Sequence, residues 1–264
     1  MNTRKNSSDF PVRRWYGDAF GISGAVFLLT LLLVIFNVKV FVNFEDNITA
    51  TFQSMFGLPK MDYSGGLLND IMTFVASYFD TKPIIAITIV VGIVLILRRQ
   101  IKIGIWLMYV VASGGIIGLV LKALIKRPRP LHHLPIDNGY SFPSGHSLAS
   151  TLLIWAIIFV VLPLIKKENV RRIVGWLLVL LWVLILFSRL YFAAHHFGDV
   201  LGGVSFSLAW LWLNMALYPR FLREIRNLIQ GIFLRILRKN FSWDPFYFGL
   251  NVCMIIFEIA YMVK

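Results

Sequence analysis

Charge is what this sequence has least of: only 15% of its 264 residues are Asp, Glu, Lys or Arg, and the acidic ones number 13 against 26 basic. A soluble globular chain usually carries about 25% charged residues. With 58% apolar residues and a mean hydropathy of +0.74, such a fold is excluded. Cysteine is nearly absent as well. With Cys253 alone, no intrachain disulfide framework can form. The chain has no internal repeat, no low-complexity tract and no cluster of carboxylates of the kind that binds hard metal ions.

Long apolar runs take the place of these features. Six of them, at 20–42, 83–97, 103–121, 147–165, 173–187 and 200–217, approach the roughly 20 residues that a bilayer-crossing helix needs. The first is too long for the apolar part of a signal peptide and lacks a small-residue cleavage site, so it reads as a retained span. The fold class is therefore all-α, a polytopic membrane bundle of six transmembrane helices. A seventh at 246–263 is the alternative reading, set against by Glu258 and modest length. Residues 1–264 read as a single membrane domain with its core at about 20–218 and an extension at 219–264. Within the extension, 221–240 has the pattern of a basic amphipathic helix lying on an anionic inner leaflet. Between the first two runs, 43–80 is polar and acidic, with a short amphipathic stretch at 67–79 expected at the interface or against the bundle.

Orientation follows from the tendency of short basic loops to stay in the cytoplasm. With the N-terminus inside, Arg4, Lys5, Arg13, Arg14, Arg98, Arg99, Lys102, Lys166, Lys167, Arg171 and Arg172 fall on that side, joined by the basic residues from Arg220 to Lys239. The acidic 43–80 stretch then falls outside. Topology thus accounts for most of the positive charge, and no nucleic-acid partner is needed.

A set of polar residues at the outer ends of the spans has no such explanation. It comprises Lys122 to Pro130 (KALIKRPRP), Pro143 to His146 (PSGH) and Ser188 to Asp199 (SRLYFAAHHFGD). Ionisable groups at these positions are costly unless they find a partner or a polar cavity. Lys122, Lys126, Arg127, Arg129 and Arg189 outnumber the nearby carboxylates Asp137 and Asp199, which calls for an external anion. Phosphate fits the forked guanidinium and the lysine point charge. Ser144 and Gly145, opening a helix, add backbone N–H groups and a helix N-terminus. His195 and Asp199 are spaced i, i+4, which on a helical continuation into the sixth span sets them on one face, with the carboxylate holding the imidazole as a nucleophile. His146 is then placed to act as the acid toward the leaving oxygen.

Lys126 and Arg127 read as solvated loop charges, His132 and His133 as surface residues, and Tyr191 and Trp155 as packing or interfacial aromatics. His196 would point away from the site.

The three blocks together resemble the signature of the type 2 phosphatidic acid phosphatase family, KxxxxxxRP, PSGH and SRxxxxxHxxxD, a family related to vanadium haloperoxidases. Every specified position is filled, by Lys122, Arg129, Pro130, Pro143 to His146, Ser188, Arg189, His195 and Asp199. The resemblance implies catalysis by His195, His146 and Asp199, phosphate binding by Lys122, Arg129, Ser144, Gly145 and Arg189, and no metal or other cofactor. It also implies a lipid phosphate or lipid pyrophosphate substrate of the undecaprenyl pyrophosphate, phosphatidylglycerol phosphate or phosphatidic acid class, cleaved through a phosphohistidine at the outer face of the cytoplasmic membrane. The alternatives are a vanadate-dependent haloperoxidase, against which the spans argue, and a non-catalytic lipid-binding or transport protein, against which the His195–Asp199 pairing argues.

Overall fold

The computed structural model describes residue 13 and residues 15–240, and every regular element among them is helical. In chain order these are α1 (Trp15–Ile35), α2 (Lys39–Phe56), α3 (Leu67–Tyr78), α4 (Thr81–Leu97), α5 (Ile101–Ile125), α6 (Gly145–Ala156), α7 (Glu168–Tyr191) and α8 (Phe197–Asn240). A π-turn at Ile157–Val161 and a 3-10 turn at Leu162–Leu164 prolong α6, so that Gly145–Leu164 is one potential span. Five helices are long and apolar enough to cross a membrane unaided, namely α1, α5, extended α6, α7 and α8 as far as Phe221. Helices α3 and α4 pass the same test only as a pair bent by 61°. The described residues thus form an integral-membrane helical bundle with five candidate spans, or six with the bent pair counted as one crossing.

The apolar run at 20–42 does not form one helix. It breaks after Ile35, where Asn37 takes a left-handed conformation (φ 47°) and its N–H donates to Val34 O while Val38 N–H donates to Leu33 O. This pair of bonds is the Schellman ending of a helix, and asparagine tolerates the conformation better than most residues. The following stretch, expected as a polar loop, instead opens with helix α2. The same pair of bonds ends α4 at Arg99 (φ 63°) and α7 at Ala193 (φ 48°).

Residues 13–216 form one compact unit, and from 217 onward the chain belongs to a second, described only as far as 240. The 221–240 stretch is helical, but most of its side chains lie outside the described residues, as do Arg4, Lys5, Arg14 and the 246–263 segment. In the first unit, α3 packs on α7 through Met72, Ala76 and Phe192, while Val75, Ile154 and Ile185 join α3, α6 and α7. Exposed apolar side chains such as Leu28, Leu29 and Leu32 on α1 and Trp176, Leu177 and Leu180 on α7 present the greasy surface that lipid requires. Because α4 to α8 alternate in direction, the start of α4, end of α5, start of α6, end of α7 and start of α8 gather at one end. The candidate site is there.

Candidate active site

His195 does not lie on a helix, contrary to the i, i+4 reasoning: α8 begins two residues later. It is positioned by the end of α7. Ala193 N–H donates to Leu190 O, and the N–H groups of Ala194 and His195 both donate to Arg189 O, folding the chain back over the helix end. The spacing between Arg189 and His195 is thus the length of a helix-terminating turn. Asp199 lies in the first turn of α8, where its Oδ2 accepts the His196 N–H at 2.8 Å, the carboxylate half of a capping box.

Between His195 and Asp199 stands Ser141. Its hydroxyl donates to Asp199 Oδ2 and lies 3.2 Å from His195 Nδ1, while the direct Nδ1 to Oδ2 distance is 3.6 Å. A carboxylate only accepts, so the single hydroxyl proton belongs to Asp199 and the serine oxygen accepts from His195. This puts the imidazole proton on Nδ1 and leaves Nε2 unprotonated, as an acceptor. Arg129 Nη1 faces that nitrogen at 3.4 Å. His195 is only 3% exposed, and burial pushes its pKa down to about 3 against the opposing pull of Asp199. The ring is therefore neutral near neutral pH.

Arg127 is not a solvated loop charge. It follows Lys126, which ends α5 in a left-handed conformation (φ 52°) and stays exposed, whereas the Arg127 side chain is 12% exposed. Its Nη1 donates to Asp199 Oδ1 at 2.7 Å, and its guanidinium grips Glu45 of α2 at 2.5 and 3.2 Å. Glu45 is wholly buried and also accepts the Gly198 N–H at 2.8 Å. A Cβ on Gly198 would stand 2.6 Å from Glu45 Oε1, so this position has room only for glycine. Burial opposes the charge on Arg127, but Glu45 and Asp199 more than offset it and raise its pKa.

Arg129 bridges backbone segments, donating to Gly139 O, Asn138 O and Ala194 O at 3.1, 3.1 and 2.6 Å. Three of its five N–H groups are thereby committed. Ser144 is the N-cap of α6: its Oγ accepts from Ser147 Oγ at 2.9 Å and Ser147 N at 3.4 Å, and its own N–H donates to Asp199 O. The hydroxyl proton is its remaining donor. Gly145 and His146 open the helix, where amides have no intrahelical acceptor. Gly203 of α8 brings the two helix starts together, since a Cβ there would meet Ser144 O at 2.9 Å.

Arg189 is almost fully buried, with Nη1 3.0 Å from His146 Nε2 and Nε donating to Ser188 Oγ. Among the described residues its Nη2 is buried with no hydrogen-bond partner, a costly state for a charged donor unless an anion supplies an acceptor. His146 Nε2 also lies 3.0 Å from Asp80 Oδ1 at the α3–α4 elbow. Lys122, in the last turn of α5, acts with Arg129 on His195 electrostatically. It also lines a cavity of about 640 Å³ between α4, α5 and α6 together with Asp80 and Gly145. His132 and His133 are exposed. Tyr191 donates to Asn69 Oδ1 and Trp155 packs on Phe159 and Trp182.

The eight residues singled out in the sequence therefore occupy one end of the bundle. Four others join them that motif reading passed over: Glu45, Asp80, Arg127 and Ser141. Arg127 fills an unspecified position of the first block and Ser141 precedes the second, while Glu45 and Asp80 belong to the acidic stretch at 43–80; none carries a spacing that marks it.

A family model described as the PAP2 superfamily matches residues 103–223, which hold all three motif blocks. Phosphatidylglycerophosphatase B of Bacillus subtilis (strain 168) is 28% identical over 150 residues, covering 55% of this chain and 73% of that protein. Among solved structures, the chain resembles the crystal structure of the first transmembrane PAP2 type phosphatidylglycerolphosphate phosphatase from Bacillus subtilis. The TM-score is 0.57 at 22% identity, over 75% of this chain and 96% of that one. At that identity the likeness is one of fold.

Proposed function

We propose that this chain is a membrane phosphatase of the PAP2 superfamily, whose model matches residues 103–223, and that it hydrolyses a lipid phosphate or lipid pyrophosphate at the outer face of the membrane, through a phosphohistidine on His195. The cavity beside Lys122 carries the choice of a lipid over a soluble phosphate. Its walls include Ile85, Ile89, Ile116 and Leu119, all part of the exposed apolar surface, and it ends at Lys122, Asp80 and Gly145. A phosphate held there keeps its tail among lipid-facing side chains.

In this reading Lys122, Arg129, Arg189, the Ser144 hydroxyl and the amides of Gly145 and His146 hold the phosphate oxygens, and the unpartnered Arg189 Nη2 gains an acceptor. The His195 Nε2 lone pair attacks phosphorus while Asp199, through Ser141, keeps the proton on Nδ1. His146 protonates the departing oxygen. Water then cleaves the phosphohistidine, giving its proton to His146. The cations offset the charge spread over the equatorial oxygens.

The name of the Bacillus relative puts phosphatidylglycerol phosphate first among substrates, ahead of phosphatidic acid and undecaprenyl pyrophosphate. The test is release of inorganic phosphate from each lipid by purified protein in detergent with EDTA present. Release from at least one, abolished by His195→Ala, is expected. No release, or equal release by the variant, overturns the reading.

A further inference from the structure

His146 Nε2 is the meeting point of two opposite groups. Arg189 Nη1 stands 3.0 Å from it and can only donate; Asp80 Oδ1 stands 3.0 Å from it and can only accept. An unprotonated Nε2 accepts from Arg189, and a protonated Nε2 donates to Asp80. Each protonation state of the ring thus has its own partner ready. The charged groups facing His146 are Asp80 from the α3–α4 elbow, Arg189 from α7 and Asp137 from the loop after α5, with Lys122 of α5 lining the same cavity as Asp80. Of the two carboxylates, Asp80 is the one within hydrogen-bond distance.

We propose that Asp80 is the positioning residue of the acid–base step: its carboxylate holds the proton-bearing form of His146 and sets when that proton is released. The inference rests on the phosphatase reading above, with His146 as the acid. In the first half-reaction the His195 Nε2–P bond forms and the P–O bond to the leaving group breaks. The bonding pair stays on the leaving oxygen, which takes the proton from His146 Nε2. The neutral ring then accepts from Arg189. In the second half-reaction a water oxygen bonds to phosphorus and gives a proton to His146 Nε2, while the P–N pair returns to His195. His146 again donates to Asp80, and the sum is ester plus water to alcohol plus inorganic phosphate.

Asp80 has a second role that must be separated from this one. It is the N-cap of α4, its Oδ1 accepting the Thr81 N–H at 2.5 Å. Asparagine caps a helix about as well as aspartate, so Asp80→Asn keeps the cap and removes only the charge.

The experiment compares wild type, Asp80→Asn and His195→Gln by thermal unfolding in detergent and by kcat/KM against pH. Two substrates are used, a lipid phosphate with an alkoxide leaving group and p-nitrophenyl phosphate, whose leaving group departs without a proton. kcat/KM reports the step that expels the leaving group. For Asp80→Asn the expected result is an unchanged melting temperature and a loss on the order of tenfold with the lipid, less than the roughly 10²–10⁴-fold that a general acid itself contributes. The loss with p-nitrophenyl phosphate is smaller. The alkaline limb, where the acid form of His146 disappears, moves to lower pH because the stabilising negative charge is gone. An unaltered rate and pH profile overturn the proposal, as does an equal loss on both substrates accompanied by a lowered melting temperature. Retained activity in His195→Gln sinks the phosphohistidine reading instead, independently of how Asp80→Asn behaves.

Discussion

Asp199 accepts from three groups around one carboxylate, Arg127, Ser141 and the His196 amide, and reaches His195 through the serine. Behind it, Glu45 shares the same guanidinium in a fully buried setting. Removing one member of such a network leaves an uncompensated buried charge, whereas removing a matched pair does not. Arg127→Met therefore sets two buried carboxylates against each other and is expected to cost about 3–5 kcal/mol and most of the turnover. Combining it with Glu45→Gln should recover part of the stability, giving a coupling of about 1 kcal/mol or more in a double-mutant cycle followed by thermal unfolding. Independent, additive effects of the two changes would refute the network. The motifs exposed His195 and Asp199 in the sequence because both sit at specified positions of one short block. Glu45 was hidden because pairing across 82 positions leaves no local pattern.

At the scale of the element, helix endings do the positioning. Left-handed residues finish α5 at Lys126 and α7 at Ala193, and the chain reversal after each delivers Arg127 and His195 to the site. An alanine in this conformation carries roughly 1–2 kcal/mol of steric cost. Ala193→Gly is thus expected to stabilise the protein by about 1 kcal/mol or less, since glycine gives back part of the gain through unfolded-chain entropy. Ala193→Val should destabilise it by about 1–2 kcal/mol and slow turnover by shifting His195. Melting temperatures paired with phosphate release decide the point; a glycine variant less stable than wild type would contradict it. Hydropathy made the spans legible but not their ends. The break at Asn37 lies inside a continuous apolar run, and only its asparagine marks it; at Arg99 and Ala193 the usual glycine is missing, so the same ending left no trace in composition.

Across the whole molecule, the site occupies one end of the bundle and the basic turns at Arg99 and Lys167 the other. The multi-span architecture was readable because lipid imposes length and apolarity on every crossing helix. The exception is the acidic stretch after α1, where α2 packs Phe52 and Phe56 on Phe187 of α7 and its Glu45 reaches Arg127 and the Gly198 amide, partners far away in sequence. If the positive-inside reading holds, Asn138→Cys and Lys167→Cys, each made with Cys253→Ser, will respond oppositely to a membrane-impermeant thiol reagent added to intact cells. Both positions are exposed. Labelling at 138 but not 167 is the expected outcome, and the reverse would move the site to the cytoplasmic face.

The 61° elbow between α3 and α4 ties this arrangement to the membrane around it. Helix α4 has 17 residues, about 25 Å of helix, against a hydrocarbon core of about 30 Å. Such a shortfall is met by thinning the bilayer or by moving the helix ends, at a modest cost per ångström. Asp80 caps the end of α4 that faces the site and touches His146. On the proposed reading, a bilayer whose acyl length moves that helix end also moves Asp80 against His146, which links membrane thickness to the acid–base step.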